Sequence, residues 1–211
     1  MAKRRPHNPN HNRRPGQKNR PQGGRGGGPT GGGKGGGGSA LGVRQLAGGS
    51  GWALVAPPCA AERAEDLEEV HAMIEAGELE IATDELRYLL SGCPELLAAH
   101  VLLGQLALDA DETRPADIEL ARGHFGFAFA LGEKALNAKN CPGPLPGADP
   151  ANAPWHEAAR GLAWCLEKQS QPIMADQIAT MVRRFDPTDP AEVGAMLDDL
   201  RAGGLPIIEL G

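Results

Sequence analysis

Apolar side chains recur every three or four residues from Ala64 to Ala202, and no stretch of the chain alternates apolar with polar. A helix buries one stripe at that period, whereas a half-buried strand needs a period of two. The pattern therefore predicts an all-α domain. Leu67, Val70, Met73 and Ile74 form the stripe of a helix over 64–77, closed by Gly77 as its C-terminal cap. Ile81, Leu86, Leu89 and Leu90 form the stripe of a second over 79–91. Further helices are predicted over 95–109, 116–136, 155–169, 172–185 and 190–202. The turns DADETRPAD and FDPTDP and the irregular linker KNCPGPLPGADPANAP separate them. Short connections make neighbouring helices antiparallel pairs.

The pairs carry an internal echo. Pro94 and Pro187 are each preceded, twelve residues earlier, by an alanine, Ala82 and Ala175. His100, Leu103–Gly104 and Ala107 follow Pro94, and Ala121, Phe125 and Ala128 follow the next turn. This spacing resembles the tetratricopeptide repeat, with its W-x2-L-G-x2-Y, A-x3-F and P positions over about 34 residues. Each position has a physical use. The proline precedes a helix, where its missing N–H costs nothing. The leucine enters the space between the helices, the glycine admits the partner helix, and the phenylalanine fills the gap one turn on. The resemblance covers 63–135 and 155–202, as three degenerate repeats over 63–96, 97–135 and 155–188 and a solvating cap helix. His100 and Ala107 replace the Trp and Tyr, Leu162–Ala163 replaces Leu–Gly, and Ala179 replaces the Phe.

Charge divides the chain. Residues 1–61 hold ten Lys/Arg and no Asp/Glu, and the remaining eleven cations share 62–211 with all 27 acids. The run GGRGGGPTGGGKGGGGS has nothing apolar to bury, so residues 1–51 are expected to be a disordered tail and 52–211 the folded domain. The segment WALVAPP, from Trp52, is expected to dock on the domain as an extended piece. Arg4, Arg5, Arg13, Arg14, Arg20 and Arg25 make the tail a candidate for phosphate contacts with RNA, although it has no aromatic residue for base stacking. The alternative is a solubilising tail.

Catalytic and cofactor motifs fail on their spacing. Gly28 to Lys34 matches G-x-x-x-x-G-K, but Gly35 stands where a phosphate loop needs Ser or Thr, and no strand or helix flanks it. Cys59, Cys93, Cys141 and Cys165 contain no C-x-x-C pair and read as reduced, mostly buried thiols of a cytoplasmic protein. No apolar run approaches the ~18 residues of a membrane span. His71, His100, His124 and His156 form no metal motif, but pairing of their helices would bring His100 and His124 together. Glu68–Glu69 and Asp198–Asp199 read as solvated faces. No cofactor, metal or catalytic constellation is expected.

What the resemblance implies is a groove lined by the first helix of each pair, with Val101, Gln105, Arg160 and Trp164 facing it. Family members that grip a C-terminal carboxylate use Lys and Asn at such places; here only Arg160 is basic, which disfavours that ligand. Trp164 is equally compatible with the core. The expected function is a non-catalytic scaffold holding an extended peptide or partner helix. The alternative is an RNA- or ribosome-associated protein that binds through its tail.

Overall fold

The computed structural model describes residues 40–109 and 115–203. Two four-residue strands come first, β1 (Gly42–Gln45) and β2 (Trp52–Val55), followed by eight helices: α1 (Pro58–Glu62), α2 (Ala64–Glu75), α3 (Leu79–Gly92), α4 (Leu97–Leu108), α5 (Ile118–Ala138), α6 (Ala153–Lys168), α7 (Pro172–Phe185) and α8 (Val193–Ala202). The seven predicted helices are all present, with ends within three residues of those expected. None of the described helices is long and apolar enough to cross a membrane.

Local chemistry sets several boundaries. Gly77 adopts φ +78°, and the amides of Gly77 and Glu78 bond back to the carbonyls of Ile74 and Met73, a Schellman closure of α2. Asp117 caps α5 by accepting from the Leu120 amide at 2.9 Å. Pro94 lies in a turn three residues ahead of α4. His100 reaches back to the Pro94 carbonyl at 3.0 Å and pins that turn.

α5 runs antiparallel to α4 on one side and to α6 on the other, as its contacts show. Gly104 of α4 faces Phe125 of α5, while His100, one turn earlier, meets Phe127. Gly126 faces Leu162, while Gly132 faces Trp155 near the start of α6. α4 also packs on α6, and α6 on α8. α4 is the central helix and divides the core. Leu97 and Val101 join the cluster of Leu54, Phe125, Trp155 and Leu162. Ala99, Leu102, Leu103 and Leu106 join that of Val70, Leu86 and Leu89. A helix covered on both sides is apolar all round, which is why Val101, 2% exposed, is a core residue and not a groove residue. Ile81 departs in the opposite sense. It is 56% exposed, because the buried stripe of α3 runs Ala82–Leu86–Leu89 and Ile81 lies one position off it.

Three further features differ from expectation. Residues 42–51, assigned to the tail by their glycines, belong to the folded domain. β1 pairs antiparallel with β2, placing Val43 opposite Leu54 and Gln45 opposite Trp52. Strands of four residues are too short for alternation to register. The tail arginines and the glycine–lysine segment fall in 1–39, outside the described residues. Second, the linker before α6 is a brace rather than an interruption. Asn152, fully buried, accepts from the Leu54 amide at 2.9 Å and donates to the Trp52 and Pro146 carbonyls at 3.1 and 2.8 Å. The Trp52 and Leu145 amides bond to the Pro144 and Phe185 carbonyls, both at 2.8 Å. Third, Cys59 and Cys93 form a disulfide, with Cα atoms 5.6 Å apart, so the four cysteines are not all reduced. Their 34-residue separation hid the pairing, because α1 and the end of α3 meet only after α2 and α3 fold back on each other. Cys141 and Cys165 are free and buried.

Candidate functional site: a cleft between alternate helices

Residues 157, 160, 161 and 164 are spaced as one helical stripe of α6, with Gly161 set against Phe125 of α5. On α8 the positions 195, 196, 199 and 200 make a matching stripe, and Glu192 stands just before the helix. Together with Gln105, Leu108 and Phe125 they line a cleft of about 520 Å³. Gln105, Arg160 and Trp164 of the expected groove therefore come together. Val101 does not join them; one turn earlier on α4, it lies under the core. Glu192, just before α8, and Met196 and Asp199 on it went unrecognised, because α8 reads in sequence only as a cap helix.

The cleft has an apolar floor and an acidic rim. Leu108, Phe125, Trp164, Met196 and Leu200 supply the floor, and Glu157, Glu192 and Asp199 face one cation, Arg160. Trp164 is half-buried, between its two expected places, and the Lys168 ammonium lies 5.4 Å from its ring centroid. Arg160 donates to the Ala191 carbonyl at 3.1 Å, tying α6 to the segment before α8. Burial holds the Glu157 carboxyl above its ordinary value, and His71 on α2 opposes that shift only in part. His71 lines an adjoining depression with Ile74, Leu102, Gln105, Leu106 and Asp109. Gln105 borders both depressions, the first lined from α4, α6 and the α8 region with Phe125 of α5, the second from α2 and α4.

His100 and His124 approach to 3.4 Å between their Nδ1 atoms, as the helix pairing predicted. The Pro94 carbonyl can only accept, so His100 carries its proton on Nε2 and His124 donates from Nδ1. The pair borders a depression with Asp117, Leu120 and Phe127. Among the described residues no group of three or more His, Cys, Asp or Glu is placed to hold a metal ion. His156 contacts the Leu145 carbonyl through Nε2, and its buried Nδ1 has no partner among the described residues. The Cys165 thiol is pushed up to about 11 by burial, which leaves it protonated and unreactive near neutrality.

No protein-family model matches the chain, and no curated protein or solved structure is significantly similar to it.

Proposed function

We propose that this chain is a non-catalytic, tetratricopeptide-like adaptor whose groove, formed by α2, α4, α6 and α8, holds a segment of a partner protein. One observation carries the reading: residues from alternate helices converge on a single cleft with a half-buried tryptophan on its floor. Stacked helix pairs present such a surface from the first helix of each pair. The fit of Phe125 against Gly104 supports the repeat arrangement, since these are the positions where the repeat places its phenylalanine and glycine. A half-buried aromatic in a concave apolar site is the usual anchor of a protein interface.

The test is capture of a partner by the full chain and by Arg160→Glu and Trp164→Ala. Weakened capture by both variants, insensitive to nuclease, is expected; unchanged capture by both removes the groove. A second reading, RNA attachment through the tail, is favoured by the concentration of cations in residues 1–39, which hold nine Lys/Arg and no acid. It requires retention of generic single-stranded RNA that falls with salt at a logarithmic slope of about 0.7 per contacted phosphate.

A further inference from the structure

The groove carries more negative charge than a neutral peptide would need. Glu157, Glu192 and Asp199 have no ion-pair partner among the described residues, and the guanidinium beside them is directed to a backbone carbonyl. The same sign continues onto α2. Glu68 and Glu75 stand three and four residues from His71, share its helix face and are exposed. From Glu62 to Glu75 the chain carries six acids against one base, Arg63, which is itself paired with Asp66 at 3.3 Å. A concave surface lined by one sign of charge focuses its field and raises the local concentration of the opposite sign. The floor beneath the acids is apolar, so charge alone does not satisfy it.

We infer that the groove takes a cationic amphipathic helix of a partner protein. Its apolar side chains, three and four residues apart, seat on Trp164, Met196 and Leu200. Flanking Lys or Arg side chains meet Glu157, Glu192 and Asp199. A cation there also relieves the penalty that burial imposes on the Glu157 carboxylate. Phosphate-bearing ligands are repelled by the same field. The inference rests on the groove reading proposed above and specifies its partner.

The test uses the full chain and fluorescein-labelled peptides of about 18 residues, five helical turns, at about 0.15 M ionic strength. One peptide sets Leu at helical spacing among Lys. A second has the same composition scrambled, a third replaces Lys by Gln, and a fourth replaces Lys by Glu. The patterned Leu/Lys peptide should bind at least tenfold more tightly than the scrambled one, and the Leu/Glu peptide should not bind. Glu192→Gln with Asp199→Asn should weaken the Leu/Lys complex about tenfold, and Met196→Ala should weaken it as well. Neutralising Glu80 and Asp84, exposed on α3 away from the cleft, should change it less than twofold. Equal losses from the two neutralised pairs would overturn the inference in favour of unspecific surface charge. Leu/Gln binding as tight as Leu/Lys, with both weakened by Met196→Ala, would overturn the cationic partner and leave the groove reading standing. Failure of every peptide to bind overturns the inference, and partner capture by Trp164→Ala then decides the groove separately.

Discussion

Phe125 shows how much one side chain decides. A Cβ on Gly104 would lie 2.7 Å from its ring, and one on Gly161 would lie 2.6 Å away. Phe125 is thus clasped between α4 and α6 where only hydrogen fits. Gly104→Ala should cost about 1–3 kcal/mol through overpacking, and Phe125→Leu in the same chain should recover part of that loss, as read from urea midpoints. Val101→Ala should cost about 1–3 kcal/mol as a buried truncation, while exposed Gln105→Ala should stay within about 0.5 kcal/mol. The histidines contribute to acid stability. Burial lowers His100, His124 and His156 below their ordinary 6.5, while Asp186 and Asp189 pull His156 upward and Arg87 adds to the lowering of His124. The unfolded chain therefore binds more protons between 6.5 and the folded values. This contribution is intact above about 6.5 and is lost as pH falls below it. The thermal midpoint should drop between about pH 7.5 and 5.5, and less steeply in His156→Gln, which keeps a donor for the Leu145 carbonyl.

Among the elements, the linker and the strand pair depend on each other. A two-stranded hairpin is marginal alone, and this one is held by Asn152, whose amide meets three backbone groups from two segments. Asn152→Ala leaves the buried Leu54 amide unpaired, at about 1–3 kcal/mol. Hydrogen exchange should then show the Leu54 amide losing protection while the amides of α5 and α6 keep theirs. Asn152→Asp should also weaken the brace, because it keeps the acceptor for Leu54 but loses the donor to Trp52 and Pro146. The central element, α4, illustrates a different rule. Its stripe is not legible because neighbours cover it on both sides, so Val101 is buried where Gln105, four residues on, is exposed.

Over the whole molecule, the Cys59–Cys93 bond ties α1 to the end of α3. Alkylation of the denatured, unreduced chain should label two of the four cysteines, Cys141 and Cys165. Labelling of all four would refute the pairing. Reduction should lower stability by about 2–4 kcal/mol, the usual contribution of a crosslink over a loop of this order.

Helical periodicity, capping residues and the charge divide were properties of the sequence by itself, since each depends on neighbours within a few positions along the chain. They located seven helices and the cap at Gly77, whereas the approach of His100 to His124 waited on the pairing of α4 with α5. Gln105, Arg160 and Trp164 were legible because their spacing on α4 and α6 survives into the folded helices. Tertiary structure alone decided what lies across the chain. Leu54 and Asn152 are 98 residues apart, Cys59 and Cys93 are 34 apart, and the α8 side of the cleft faces α6 only after α7 has turned back. A short-range pattern records which face of an element is apolar; which neighbour covers that face, and how completely, is set by packing among distant segments.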